Sequence, residues 1–371
     1  MPESDLPSLV TQVLWAAFGL AVVFGAIAQR TQFCTMGAVA DIMSMGDWSR
    51  MRMWMMAMGV AIIGFNGMVA LGWINAADSI YAGERLTWMS NLLGGALFGF
   101  GMVLASGCGS KMLVRLGGGS LKALVVFFVL GVSSYVTLRG VAAVARVNTV
   151  DTVALILPGG QDLPSLLARA SGLQPGMAAL ILGLAFGLAL LAFALARPEG
   201  RSADALLAGL GLGAVVVGVW WVSGRMAFVL EHPSTLEPVF LVTNSQRMES
   251  LSFVAPVAYT LDWLMLFSDR NKLLTMGVVT TAGVVAGSAA VALASGRFRW
   301  EGFAGTEDTA NHVLGAMLMG VGGVTAVGCT VGQGLSGVST LALGSFIALA
   351  GILGGAFAGV RYQIWRLEQG A

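Results

Sequence analysis

Charge is scarce in this chain. Asp, Glu, Lys and Arg together make up 11% of its 371 residues, whereas 57% are hydrophobic and 52 are glycine. A water-soluble domain carries roughly a quarter of its residues as charges, so this composition excludes one. The net charge is +1 and no basic stripe is present; nucleic acid is excluded as a partner, because neutralising phosphates takes clustered Lys and Arg. Histidine occurs only at His232 and His312, and cysteine only at Cys34, Cys108 and Cys329. Three is an odd number and no CxxC spacing occurs, so neither a disulfide framework nor a structural zinc site is indicated, and no cofactor is expected. The first apolar run follows Glu3 and Asp5 with no basic residue before it. It lacks the positive segment of a signal peptide and reads as a retained helix with its N-terminus outside.

Apolar sequence fills the space that charge leaves. Uncharged runs able to cross a hydrocarbon core of about 30 Å as helices lie at 6–29, 53–77, 91–110, 176–196, 205–224, 275–296 and 309–360, with a shorter run at 123–138. The expected fold is an all-α polytopic membrane protein.

The chain also repeats itself. "LLGGALFGFGMVLASGC" (92–108) aligns with "VLGAMLMGVGGVTAVGC" (313–329) at an offset of 221, with nine identities in seventeen positions. The matches include Gly99 with Gly320, Gly101 with Gly322, Gly107 with Gly328 and Cys108 with Cys329. Weaker matches join 18–27 to 210–219 and "QFCTMGA" (32–38) to "SFVAPVA" (252–258), where Val254 stands in place of Cys34. The expected organisation is a first repeat over 1–140, a variable loop and linking helix over 141–203, and a second repeat over 204–371.

Counting crossings sets the orientation. If 31–48 and 250–268 are re-entrant or peripheral, the first repeat crosses four times and 176–196 adds a fifth, so the second repeat starts from the opposite side. About nine transmembrane helices and two inverted repeats follow, an architecture that places a substrate path at the repeat interface near the midplane. With the N-terminus outside and the C-terminus inside, the inside segments hold 12 of the 20 Lys and Arg, in the sense of the positive-inside rule.

The stretches "SGCGS" and "VGCTVGQG" break two of these helices. Non-helical backbone at membrane depth is tolerated only where protein or a water-filled cavity satisfies it. Residues 109–116 are able to restart a short helix whose free N–H groups and positive dipole end suit an anion, with Lys111 one turn away. Gly107, Gly109 and Gly328 allow close approach of the broken helices, which would set Cys108 opposite Cys329 at a constriction. A thiol is a weak, polarizable donor suited to a soft, sulfur-containing anion.

These residues resemble a known family. "GCGSKMLVRLGGGSLKALVV" (107–126), "FCTMGAVAD" (33–41) and "GCTVGQGLSGVSTLALGSF" (328–346) look like the motifs of the YeeE/YedE family of sulfur-transport membrane proteins. The resemblance covers nearly the whole chain apart from 141–175. It implies a non-enzymatic permease of the bacterial inner membrane that takes up thiosulfate through an hourglass-shaped path by way of Cys34, Cys108 and Cys329. Within the chain's own repeat, the third position after the cysteine is Lys111 in one half and Gly332 in the other, a difference that bears on which sulfur or selenium compound is taken.

Plainer readings stand beside these. Cys34 alone reads equally as a small core residue. Lys111 and Arg115 read as inside-facing anchors that snorkel to the interface, and Thr330 and Gln333 as groups that only satisfy freed backbone. Asp41 reads as a partner of Arg30 or a helix cap, the methionines of 51–58 as packing, and 225–250 as an outside loop rimming the entrance. Two other functions remain open: a membrane persulfide carrier or sulfurtransfer protein using a reactive thiolate, and a soft-metal or selenium-compound transporter. Lipid surrounds the protein in every case, and a cytoplasmic sulfurtransferase is a candidate partner at the inside face.

Overall fold

A computed structural model describes residues 5–233, 236–269 and 272–370; Glu3, part of the acidic N-terminus invoked above, lies outside them. The chain is all-α, with two pairs of two-residue strands, β1 (Arg85–Leu86) on β2 (Leu155–Ile156) and β3 (Phe228–Val229) on β4 (Val239–Phe240), as its sheets. Its first half runs α1 (Leu6–Thr31), α2 (Thr35–Met45), α3 (Ser49–Ala70), α4 (Trp88–Leu104), α5 (Gly109–Gly117) and α6 (Leu121–Arg139). The short helices α7 (Val141–Asn148) and α8 (Leu163–Ser171) lead to the apolar α9 (Pro175–Leu195). The second half opens with α10 (Ala203–Leu206) and α11 (Leu212–Trp221), two parts of one span over Ala203–Met226, and continues with α12 (Ala255–Met265) and α13 (Met276–Ala294). It closes with α14 (Thr306–Thr325), a π-wound turn at Gly332–Gly337 and α15 (Leu343–Gly370).

Among the described residues, eight helical stretches are long and apolar enough to cross a membrane. The ninth expected crossing, 309–334, divides at its break into α14 and the π-wound turn. α14 is 20 residues long but begins Thr-Glu-Asp-Thr-Ala-Asn-His, which makes it more polar than the other eight. The two segments expected not to cross form α2 and α12, each of 11 residues. At 1.5 Å per residue they reach about 16 Å, half a bilayer core.

Packing follows an exchange pattern. Helix α4 packs on α15 while α14 packs on α6, and α1 packs on α13 while α11 packs on α3. At the crossing of α4 and α14 the exchange extends to single residues. A methyl added at Gly94 would stand 2.7 Å from the Gly322 carbonyl oxygen, and one at Gly322 would stand 2.6 Å from that of Gly94. Gly101 and Gly315 repeat the relation at 2.7 and 2.6 Å. Since Gly94 matches Gly315 and Gly101 matches Gly322 at the offset of 221, the crossing has the self-complementary form of a two-fold contact. The two backbones touch with no side chain between them, an approach that only glycine permits.

Because carbonyl oxygens, not flexible side-chain ends, face Gly322, Gly322→Leu is expected to force α4 and α14 apart. The variant should lose the monodisperse peak in detergent size-exclusion chromatography. Gly354→Ala, at a site with open space around it, should retain that peak.

Candidate functional site

Helices α4 and α14 end in the same way. Ser106 and Val327 both take the left-handed backbone, at φ 57° and 58°. The Ser106 N–H donates to the Val103 carbonyl at 3.1 Å and the Gly107 N–H to Met102 at 2.8 Å. Val327 donates to Val324 at 3.1 Å and Gly328 to Gly323 at 2.8 Å. Each is a Schellman ending, the turn that satisfies a helix's last carbonyls, usually with glycine in the left-handed position. Serine and valine there cost roughly 1–2 kcal/mol each, so side chains from beyond the break hold it. Arg115 donates Nη1 to the Ser106 carbonyl at 3.1 Å, and Gln333 donates Nε2 to the Ala326 carbonyl. Gln333 therefore performs the backbone-satisfying role considered above, and Arg115 ties the break as well as lying near a helix end.

The cysteines stand directly after these breaks. Cys108 is the N-cap of α5, and the Cys329 carbonyl accepts the Gln333 N–H at 2.7 Å as the next helix begins. Cys34 is the N-cap of α2. All three thiols thus lie at the positive ends of helices. The sulfurs of Cys34 and Cys329 accept the N–H three residues on, from Gly37 and Gly332, each at 3.4 Å. Cys108 Sγ lies 3.3 Å from Ser110 Oγ. The thiols are free, and their residues are 6%, 1% and 0% exposed for Cys34, Cys108 and Cys329. Cys108 lies near both Cys34 and Cys329, so the structure brings the three expected cysteines close together.

The two ends of this cluster differ. Beside Cys34 lie Lys111, whose Nζ donates to Gln32 Oε1 at 2.7 Å, and Arg50, whose guanidinium reaches Gly37. Asp41 pairs with Arg50 at 3.3 Å. This corrects the expected pairing with Arg30, which reaches Asp204 at 3.7 Å instead; the short turn between α2 and α3 brings Arg50 back over α2. Beside Cys329 the third position is Gly332, where a methyl would stand 2.7 Å from Ser252 Oγ and 3.5 Å from the Tyr81 hydroxyl. Those two side chains fill the space that Lys111 occupies in the other half. Gly109 is needed for a similar reason, as a methyl there would stand 2.9 Å from the Phe253 carbonyl. Gly107 and Gly328 face the next helical turn, at Met112 and Gln333.

Several buried polar atoms around the cysteines lack a hydrogen-bond partner among the described residues: Thr35 Oγ1, Trp54 Nε1, Tyr81 Oη, Thr330 Oγ1 and Gln333 Oε1. Thr35 and Thr330 adjoin Cys34 and Cys329 in sequence. Trp54 stacks on Phe33, next to Cys34, with ring centroids 4.7 Å apart, and Tyr81 lies close enough to Cys329 to interact electrostatically. An unsatisfied buried group costs about 1–3 kcal/mol, so their concentration along the cysteines marks a polar track.

A cavity of about 280 Å³ reaches this track from the segment 225–250 that was expected to rim the entrance. Arg146, Asn244, Ser245, Glu249, Ser252 and Tyr259 line it, and Val327 and Gly328 bring it to the residue before Cys329. A second cavity of about 220 Å³ shares Asn244 and Tyr259 with the first and adds Arg139 and Lys272. Partial desolvation in the cavity holds the half-buried Glu249 carboxyl up at about 7, even though Ser245 Oγ donates to its Oε2 at 3.0 Å and the Asn244 N–H also bonds to it. Tyr81, Ser252 and Glu249 were not singled out in the sequence. Tyr81 and Glu249 come from connecting segments outside the matched repeats, whereas Ser252 stands opposite Gln32 in the weak match of 32–38 to 252–258; the one local signal for Glu249 was a lone carboxylate just ahead of the apolar "SLSFVAPV".

A family model described as Sulphur transport matches residues 30–358 of the chain. The thiosulfate transporter TsuA of Spirochaeta thermophila is 26% identical over 347 residues, covering 91% of this chain and 94% of the relative. The thiosulfate transporter TsuA of Escherichia coli is 25% identical over 314 residues, covering 84% of each. The probable transporter YedE of Salmonella typhimurium is 32% identical over 112 residues, 29% of this chain and 26% of the relative.

Gln333→Leu would keep the bulk at this position but leave the Ala326 carbonyl without its donor. A loss of thermal stability worth about 1–3 kcal/mol is expected, seen as a lower unfolding midpoint in detergent. An unchanged midpoint would show that the break is held without Gln333.

Proposed function

The chain belongs to the sulphur-transport family, and we propose that it is a permease taking up thiosulfate or a related sulfur-containing anion, with no catalytic step. The observation that carries this reading is the gathering of three free, buried thiols at three helix N-termini, with Cys108 near both others. The names of the two long relatives support the substrate class. In this reading 1–140 and 204–371 are inverted repeats joined by 141–203. The N-terminus lies outside the bacterial inner membrane and the C-terminus inside, where a cytoplasmic sulfurtransferase would receive the product of uptake.

The anion passes from Cys329 to Cys108 to Cys34. A thiolate on this path would repel it, since unit charges 4 Å apart interact by about 4 kcal/mol at an effective dielectric of 20. The thiols therefore act neutral, as weak S–H donors to the sulfur and oxygen ends of the anion. Each contact is too weak to trap it. Net attraction comes from the helix N-termini, each equivalent to roughly half a positive charge, and from Lys111. Thr330 and Gln333 offer Oγ1 and the amide along the same track, while Gly107, Gly109 and Gly328 keep it narrow.

Cys329→Ala and Cys108→Ala are expected to reduce radiolabelled thiosulfate uptake to the level of cells without the protein, while each variant still inserts in the membrane. Uptake at the parental rate by either, at equal expression, would overturn the path. Persulfidated Cys108 accumulating without intact thiosulfate inside the cell would replace the permease with a sulfur-transfer protein. Lys111→Gln should leave transport operating with an apparent KM raised several-fold, because it removes attraction and no S–H donor.

A further inference from the structure

The outer cavity contains a carboxyl group on the path proposed for an anion. Glu249 lines it together with Ser245, Ser252 and Tyr259, and among the described residues it forms no ion pair. The charged and titratable groups around it are paired with other residues or neutral, apart from the buried Arg146 Nε, which has no hydrogen-bond partner among the described residues. Arg146, on α7, pairs with Asp151 at 3.1 Å. Arg247 donates to the Ser79 carbonyl at 3.5 Å and acts on Asp78. Tyr81 and Tyr259 face Glu249 as phenols, with Cys329 beyond Tyr81, and the lining residues from α13 and α14 carry no charge.

An ionised Glu249 would repel a dianion at the mouth of the path. Protonated, the same group becomes an O–H donor, and with the hydroxyls of Ser245, Ser252 and Tyr259 it forms a donor set for an oxyanion. Resting on the thiosulfate reading, we propose that the cavity beside Gly328 is an outer binding site that takes the oxyanion together with one proton, held on Glu249. The proton comes from the outer solution, and no bond other than O–H is made or broken. A companion proton matters for uptake. An anion moving inward against an inside-negative potential is opposed in proportion to its charge, and a proton that travels with a dianion cancels one of its two charges.

The sign of the pH effect follows from the carboxyl's midpoint near 7. Below it the site is ready to bind. Above it a proton must be taken up with the anion, so affinity falls as pH rises.

The test is isothermal titration of the purified full-length protein in detergent with sodium thiosulfate between pH 6 and 8. In the parent protein Kd should rise about tenfold across this range, as linkage to one proton requires. Paired buffers of different ionisation enthalpy at pH 8 should report proton uptake on binding. Glu249→Gln should bind with a flat pH profile and no proton uptake. Ser245→Ala removes the hydroxyl that stabilises the carboxylate and should move the midpoint upward, which tests the proposal even if Glu249→Gln does not fold. A flat profile in the parent protein, or an unchanged slope in both variants, overturns the proposal while leaving the permease reading intact. Absence of thiosulfate binding at every pH overturns both.

Discussion

Two backbones in contact at the centre of the molecule govern the rest. Helices α4 and α14 meet at Gly94, Gly101, Gly315 and Gly322, where each carbonyl oxygen lies against the glycine of the other helix. Contact of this kind fixes the separation of the helices to within the thickness of a methyl group. Both helices then end about one turn further on, and the broken ends inherit the same fixed separation. Cys108 and Cys329, which follow those ends, are held in one cluster by backbone geometry, without any bond between the thiols.

From that crossing the chemistry of the track follows. The Schellman endings turn the chain at Ser106 and Val327, and the next residues begin new helices, so N–H groups point back toward the sulfurs. Cys34 reaches a similar environment in the same way, since α1 ends at Gln32 in the left-handed backbone, at φ 52°, two residues before Cys34 caps α2. The site therefore combines soft sulfur with positive helix ends while burying few formal charges. That combination suits an anion that must leave again, because backbone dipoles attract less strongly than a buried ammonium group would.

Much of this was legible in the sequence, for a physical reason. Close helix crossings need glycine and broken spans need it again, so the repeat survives at Gly99, Gly101, Gly107 and their partners while about half of the aligned residues differ. Apolar runs identified the spans, and the non-crossing character of the segments that form α2 and α12 was the premise on which the crossings were counted. Parts set by connecting segments were not legible. The partner of Asp41 depends on how the turn before α3 folds back, and the sequence neighbourhood of Arg30 pointed to the wrong cation. Tyr81, Ser252 and Glu249 come together only because segments from both halves dip toward Cys329, and no periodicity records such a meeting. The left-handed backbone at Val327 was also hidden, since a β-branched residue is the last to be expected there.

Besides Val254 in place of Cys34, the two halves part company at the third position after the cysteine, an ammonium group at Lys111 and bare backbone at Gly332. A conduit with identical halves would present the same energy profile to a traveller from either side. Replacing one matched position with a cation tilts that profile, deepening the well at the Cys34 end. Such a tilt cannot drive accumulation, which needs a gradient from outside the protein. In the proposed permease it would set which end stays occupied when the anion is scarce, giving a pathway built on near-symmetry a direction of rest.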